Sequence, residues 1–330
     1  MGNHNVLPAM AVQRWVYIKY FCALSVVVSH LCKLIYLGPA FSQFFDFGTY
    51  AVAIFFFLSG YGLSYSCIYK KNYLKNFLKR RLLKIFLIYF IATLLWVVIC
   101  LPFVEINIYD LWRICSVYPI LPYGWYFVVL MVLYLIFYLS MKWTYSSVLI
   151  YIVLIVGYIV CFLSGIGEWI YMTSPCFALG IWYAENEDRF SVFIHRYKYR
   201  IFVALLIAFG CSWRSYFLKM LHVQYTLQTF NGIIACTISA LALVGVIIVI
   251  LETCKLPFLT SNHLPDYSFE IYLSQYISIP FVMYYMNHST SSTMFTIANF
   301  QCVVYLVFMT GILVFLFHLI IHKIQKYVSK

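Results

Sequence analysis

Charged residues are scarce in this chain, and acidic residues are the scarcest. Charged side chains make up 10% of its 330 residues, whereas about 25% is usual in a soluble domain. The chain holds 22 Lys and Arg against 10 Asp and Glu, and 65% of its residues are hydrophobic. An ordinary globular fold is therefore excluded. Most of the basic residues cluster at the ends of apolar runs, which indicates orientation in a membrane and argues against nucleic-acid binding.

Familiar catalytic motifs are also missing. The chain has no phosphate-binding glycine loop, no Gly-x-Ser-x-Gly, no His-Glu-x-x-His and no group of residues at metal-ligand spacing, so no metal and no permanently bound cofactor is expected. Its 11 cysteines include no Cys-x-x-Cys pair, which favours reduced core residues. Without repeats, linkers or a signal peptide, we expect one transmembrane domain over residues 1–330 and no appended soluble domain.

Long hydrophobic runs are abundant instead. Ten apolar segments are each close to the ~20 residues that cross the hydrocarbon layer of a bilayer. They cover residues 15–36, 49–69, 82–101, 123–141, 145–164, 167–184, 199–218, 228–251, 267–287 and 299–321. Pro175 and Gly180 are expected to break or tilt the sixth segment, and Pro280 to kink the ninth. The prediction is an all-α polytopic membrane protein with about ten transmembrane helices.

The distribution of basic residues predicts the orientation of these helices. With the N-terminus inside, 18 of the 22 Lys and Arg residues fall on the inner side. The other four, which fall outside, are Lys33, Arg113, Arg214 and Lys219. Because Lys and Arg favour the cytoplasmic side, we expect both termini to be cytoplasmic.

The first apolar segment carries ionisable residues at helical spacing. Lys19 and His30 are eleven residues apart, which is about three helical turns and roughly 16 Å along one face. If Lys19 marks the inner surface, His30 lies near the bilayer midplane, where an ionisable group is costly and usually functional. A histidine bonded between helices is the structural alternative. The functional reading is a proton acceptor.

A basic segment precedes the third apolar run. Seven of the fifteen residues from Lys70 to Lys84 are Lys or Arg, and none is acidic. Topology and attraction to anionic lipid explain most such segments. The more specific reading is that Arg81 and Lys84, three residues apart on one face, hold the phosphates of a cytosolic donor, with Lys79 and Arg80 nearby.

The ninth segment begins with polar residues. Asp266 is expected to cap its helix. Glu270, about one turn in, should have a basic partner or a role, because an unpaired carboxylate is costly there. Tyr272 and Gln275 are candidates to line a substrate site.

Two aromatic segments complete the candidates. In Phe55-Phe-Phe-Leu-Ser-Gly-Tyr-Gly-Leu63, Gly60 and Gly62 are expected to allow close helix approach, and Ser59 to bond across helices. In Pro122-Tyr-Gly-Trp-Tyr126, Trp125 and Tyr126 are read as an aromatic belt at the outer membrane surface. The alternative is a sugar-stacking surface at an extracytoplasmic mouth.

Taken in order over about residues 15–325, these segments resemble the integral-membrane acyltransferase 3 family. The family's Arg-x10-His pattern has its counterpart in Lys19 and His30, and Phe55 to Gly60 reads as Phe-Phe-x-x-Ser-Gly. The family's Arg-x-x-Arg motif resembles Arg81-Leu-Leu-Lys84. Its Ser-Tyr-x-x-Tyr-Leu-x-His motif resembles Ser268-Phe-Glu-Ile-Tyr-Leu-Ser-Gln275. Phe177-Ala-Leu-Gly180 resembles the family's small-residue element. Lys19, Lys84 and Gln275 depart from the pattern.

The resemblance implies an O-acetyltransferase of the bacterial inner membrane that uses cytosolic acetyl-coenzyme A and a hydroxyl of a surface or lipid-linked glycan. His30 and Glu270 would be the catalytic residues. Lys19, Arg80, Arg81 and Lys84 would bind the donor. Trp125, Tyr126, Tyr272 and Gln275 would contact the substrate. Lys19 is placed to contact the donor or to pair with Glu270. The acyl chain, the sugar, the leaflet and homo-oligomerisation stay open.

Three other functions fit the same composition. A transporter or flippase for a glycan or lipid precursor is the main alternative, although such proteins often carry internal repeats. A polytopic acyltransferase for lipids or proteins and a non-catalytic scaffold are the others. Binding of acetyl-coenzyme A separates the first alternative from an acyltransferase.

Overall fold

The structure, a computed structural model, describes residues 7–32, 47–100, 121, 123–144, 146–221, 230–254, 265–285 and 297–329. Ten α-helices and no strand are found in this part of the chain. The helices are α1 (Leu7–Cys32), α2 (Phe47–Tyr69), α3 (Lys84–Cys100), α4 (Trp125–Thr144), α5 (Val148–Leu163), α6 (Pro175–Glu185), α7 (Glu187–Leu221), α8 (Phe230–Thr253), α9 (Ser268–Tyr285) and α10 (Ile297–Ser329). Each overlaps one predicted apolar segment. The all-α prediction is therefore confirmed.

In the part of the chain that the structure describes, six helices are long and apolar enough to cross a membrane. They cover Trp15–Cys32, Phe47–Tyr69, Leu78–Ile99, Trp125–Thr144, Gly232–Thr253 and Gln301–Tyr327. This finding agrees with a polytopic membrane protein. Ten crossings and cytoplasmic termini stay predictions.

The sixth apolar segment is shorter as a helix than the sequence indicated. Helix α6 begins only at Pro175 and has 11 residues, about 16 Å in length, which is half of the ~30 Å hydrocarbon layer. Proline is well tolerated in the first helical turn, where its missing N–H has no intrahelical partner to lose. Before it, Glu168–Ile170 form one 3₁₀ turn. The predicted segment 167–184 is thus divided at Pro175, and only the part from Pro175 onward is α-helical.

Helix α7 contains a break. The backbone of Tyr197 leaves helical geometry, with φ −121° and ψ 19°. The part of α7 after this break coincides with the predicted segment 199–218.

The chain divides into two compact units. The first comprises residues 1–14, 52–75 and 135–262. The second comprises residues 15–51, 76–134 and 263–330. The prediction of a single domain over residues 1–330 stays a prediction.

In the first unit, helices α2 and α6 cross at two glycines. A Cβ atom added to Gly60 would overlap the carbonyl oxygen of Phe177, and one added to Gly180 would overlap that of Phe57. Only glycine permits this approach, so the prediction for Gly60 is confirmed. Gly62 faces open space, and its predicted packing role was wrong because it points away from the crossing.

In the second unit, α1, α9 and α10 share an apolar core. Val27 and Leu31 of α1 pack with Ile279 and Val282 of α9 and with Cys302 and Leu306 of α10. Helix α3 also packs against α9 and α10.

Paired contacts show the directions of these helices. Lys19 meets Asp266 and His30 meets Gln275, so α1 runs parallel to α9. Helix α10 runs antiparallel to α9, because Ser278 contacts Thr310 while Glu270, nearer the start of α9, contacts the later residue His318.

Candidate functional site

All ten residues predicted for the site belong to the second unit. They are Lys19, His30, Arg80, Arg81, Lys84, Trp125, Tyr126, Glu270, Tyr272 and Gln275. The unit places them at two levels along α1 and α9. One level contains His30 and the other contains Lys19.

His30 is held by Gln275. The imidazole Nδ1 atom lies 2.9 Å from the amide Oε1 atom of Gln275. An amide oxygen only accepts hydrogen bonds, so Nδ1 carries the proton and the basic lone pair stays on Nε2. Gln275 is fully buried, at 0% exposure, whereas His30 is half-buried. The pair therefore presents an oriented base at the end of α1.

Tyr123 is a site residue that the sequence analysis missed. Its ring stacks on the His30 ring, with centroids 3.8 Å apart and planes 13° from parallel. Its φ is +58°, a left-handed value that is uncommon for an aromatic residue and occurs often at functional sites. The one feature of the sequence that could have indicated Tyr123 is its position between Pro122 and Gly124, in a run of aromatic residues. The stack fixes the plane of the imidazole.

Tyr126 and Tyr272 form an interior contact. Their ring centroids lie 5.2 Å apart, and they are 5% and 3% exposed. Because Tyr272 lies only one turn before Gln275 on α9, Tyr126 lies close to the level of His30. The belt interpretation was therefore wrong for Tyr126. The Tyr126 ring packs against Tyr272 inside the second unit, where it does not face lipid. Trp125 is half-buried and meets the Tyr126 ring edge-on.

At the other level, Lys19 pairs with Asp266. The Lys19 Nζ atom lies 2.8 Å from Asp266 Oδ2. The predicted pairing of Lys19 with Glu270 was wrong, because Asp266, one turn earlier, meets the ammonium first. Oδ1 of Asp266 accepts hydrogen bonds from the backbone N–H and the hydroxyl of Ser268, so the predicted helix cap is confirmed. Burial works to raise the pKa of Asp266, but Lys19 and Ser268 outweigh it, and the pKa lies below its usual value.

Glu270 has a basic partner, as its position required. It is 5% exposed, and its Oε1 atom lies 3.3 Å from Nδ1 of His318 on α10. The ring of Tyr267 meets His318 edge-on, 4.9 Å between centroids. His318 was missed because it lies within the last long apolar run, where no motif points to it.

The basic residues lie on an irregular turn. Leu78–Leu83, which contains Arg80 and Arg81, is one turn of π-helix that leads directly into α3. Such turns are rare and are found frequently at functional sites. Arg80 is exposed, and Arg81 and Lys84 are half-buried. The charges of Arg81 and Glu270 both act on the Lys84 ammonium. A cationic surface thus lies beside the Glu270–His318 pair.

Two levels are therefore present, one with a half-buried, oriented imidazole and the other with basic residues and two carboxylates. The family model described as an acyltransferase domain, that of the acyltransferase 3 family, matches residues 14–322. The chain belongs to the acyltransferase 3 family. Family membership identifies it as a membrane acyltransferase. No curated protein and no solved structure matches the chain.

Two residues that depart from the family's motifs have defined partners in the structure. Lys19 pairs with one oxygen of Asp266, and an ammonium satisfies this contact without the two parallel hydrogen bonds that Arg can make. Gln275 supplies the oxygen that holds His30. Among the described residues, no group of three or more His, Cys, Asp or Glu could hold a metal.

Proposed function

We propose that the protein is an O-acetyltransferase of the bacterial inner membrane. It moves an acetyl group from cytosolic acetyl-coenzyme A to a hydroxyl of a surface or lipid-linked glycan. The observation that carries the proposal is the hydrogen bond of His30 to Gln275, because it gives a membrane acyltransferase an oriented base.

The donor binds at the cationic end of the second unit. Arg81 and Lys84, with Lys79 and Arg80 beside them, contact the phosphate groups of coenzyme A. The pantetheine arm then extends along α1 and α9. Lys19 and His30 are eleven residues apart, so this path covers about 16 Å. The thioester is thereby carried to the imidazole, while the charged nucleotide stays at the membrane surface.

Lys19 and Glu270 have positioning roles in this scheme. Their partners in the structure are Asp266 and His318, and these pairs fix the start of α9 against α1 and α10. Because Gln275 lies on the same helix, its oxygen is thereby held at the level of His30. Glu270 also acts electrostatically on Lys84 and so balances the cationic donor surface.

The transfer step uses the Nε2 atom of His30. Nε2 takes the proton of the glycan hydroxyl while its oxygen attacks the thioester carbonyl carbon. The tetrahedral intermediate then breaks its carbon–sulfur bond. The leaving thiolate takes the proton from the imidazolium, so the acetyl group ends on oxygen and the proton on sulfur. Trp125, which is half-buried, supplies aromatic surface for the glycan acceptor, and the buried rings of Tyr126 and Tyr272 support it.

The test is acetyl transfer by purified protein in lipid nanodiscs, with labelled acetyl-coenzyme A and a glycan acceptor. We expect the wild-type protein to transfer label and His30→Ala to bind donor but transfer none. The matched control is His195→Ala, because His195 is exposed and its ring bonds the Ser191 carbonyl of its own helix. Transfer by His30→Ala at the wild-type rate would overturn the assignment. A wild-type protein that does not bind acetyl-coenzyme A would favour the transporter.

A further inference from the structure

Gln275 has two polar side-chain atoms, and they differ in their partners. Oε1 accepts the Nδ1–H of His30 at 2.9 Å. Nε2 is buried and has no hydrogen-bond acceptor in the part of the chain that the structure describes. A buried N–H without an acceptor is energetically costly, because it has lost its hydrogen bonds to water. This donor belongs to the amide that holds the proposed base, so the reacting groups beside that base can supply its acceptor.

The surroundings of Gln275 exclude water. Its side chain is at 0% exposure, and Tyr272 and Tyr276 on the same helix are 3% and 0% exposed. Phe127 packs against both tyrosine rings, at 5.9 Å and 6.1 Å between centroids. In such a dry site a fixed donor stabilises a developing negative charge far better than in water.

We propose that the Nε2–H group of Gln275 donates to the carbonyl oxygen of the acyl thioester and stabilises its negative charge in the transition state. The inference rests on the proposed acyl transfer and names a second group for that reaction. As the hydroxyl oxygen bonds to the carbonyl carbon, the carbonyl electron pair moves onto oxygen, and Gln275 holds this oxyanion. When the carbonyl reforms, the carbon–sulfur bond breaks and the donor is released. One amide thus orients the base through its oxygen and binds the oxyanion through its nitrogen.

Gln275→Glu separates this role from a purely positioning role. The carboxylate is similar in size and still accepts the hydrogen bond from His30, but it has no N–H to donate. We expect kcat to fall by about 10²–10³-fold, the usual effect of losing one oxyanion donor, with KM for acetyl-coenzyme A unchanged. Rates are compared on the plateau of each pH profile, because a carboxylate beside an imidazole raises the imidazole pKa. Gln275→His keeps one acceptor and one donor and should stay within about tenfold of wild type.

The control is Ser278→Ala, one turn further along α9, where the hydroxyl accepts a hydrogen bond from Thr310. Its kcat should equal that of the wild type. A Gln275→Glu enzyme with wild-type kcat would overturn the inference, since Gln275 would then only position His30, and the proposed acyl transfer would stand. A wild-type enzyme without transfer would refute the acyl transfer itself. If Gln275→Glu does not bind acetyl-coenzyme A, Gln275→Met is measured in its place, because methionine also has no N–H to donate. A kcat of Gln275→Met equal to that of Gln275→His would then refute the role of the Nε2–H group.

Discussion

The imidazole Nδ1 atom of His30 donates a hydrogen bond across 2.9 Å to the Oε1 atom of Gln275. Lys19, eleven residues earlier, pairs with Asp266, nine residues before Gln275. Both contacts join α1 to α9, so the two helices run in the same direction. Two transmembrane helices run in the same direction when an odd number of crossings lies between them. Seven of the ten predicted segments lie between the first and the ninth, so the observed direction agrees with that prediction.

Tyr123 should matter to catalysis through its ring and not through its hydroxyl. Tyr123→Phe keeps the stack on His30 and should retain wild-type kcat. Tyr123→Ala removes the stack, which is worth about 0.5–1.5 kcal/mol, so kcat should fall by up to about tenfold as the imidazole loses its fixed plane. Acetyl transfer at saturating donor measures both variants. Equal rates for the two would contradict a role of the stack.

Gly60 and Gly180 should be intolerant of any side chain. A methyl group on either would meet a backbone carbonyl oxygen, so Gly60→Ala and Gly180→Ala should each destabilise the protein by about 1–3 kcal/mol. Gly62→Ala is the matched control, because its Cβ would meet nothing within 4 Å and alanine favours a helix by about 1 kcal/mol. Thermal unfolding in detergent measures all three. Destabilisation by Gly62→Ala equal to that by Gly60→Ala would contradict the crossing.

Features that depend on residues close together in the chain could be predicted from the sequence. Helix positions follow from runs of apolar residues, and the Asp266 cap follows from its place before Ser268. The partners of Lys19, His30 and Glu270 come from helices about 250 or about 50 residues away in the chain, and only tertiary packing selects them. His318 and Tyr123 were missed for the same reason. A histidine in an apolar run and a tyrosine in an aromatic loop acquire meaning only from what they contact.

The ion pair of Lys19 and Asp266 should make a contribution to the unfolding free energy that depends on pH. Because the pKa of Asp266 is lowered in the fold, its contribution is complete above the unfolded pKa of about 4 and is lost as pH falls through the lower folded value. The side chains are 27% and 34% exposed, so about 1 kcal/mol is expected. The difference in unfolding free energy between wild type and Asp266→Asn should be constant from pH 8 to about pH 5 and shrink below about pH 4. A difference that grows on acidification would contradict the pair.

Glu270 and His318 should be energetically coupled. His318→Ala leaves the buried Glu270 carboxylate without its partner and should destabilise the protein by about 2–3 kcal/mol. Glu270→Gln relieves that penalty, so the double variant should be more stable than His318→Ala alone. A double-mutant cycle on unfolding free energies measures the coupling, expected at about 1–2 kcal/mol. If the two substitutions change the unfolding free energy additively, the 3.3 Å contact does not contribute to stability.

Arg81 should affect donor binding and not the chemical step. If it contacts the phosphates of coenzyme A, Arg81→Gln should raise KM for acetyl-coenzyme A by about tenfold, because a charge-assisted hydrogen bond is worth about 1.5–3 kcal/mol, with kcat unchanged. Arg81→Lys should recover part of the loss, since it keeps the charge without the paired donors. The control is Lys142→Gln, which removes one cation at the end of α4 in the first unit. Steady-state kinetics at two salt concentrations distinguish the variants. At the higher concentration, salt screens the charge of Arg81, so the difference in KM between wild type and Arg81→Gln should become smaller. A fall in kcat at unchanged KM would place Arg81 in the transfer step and contradict the phosphate contact.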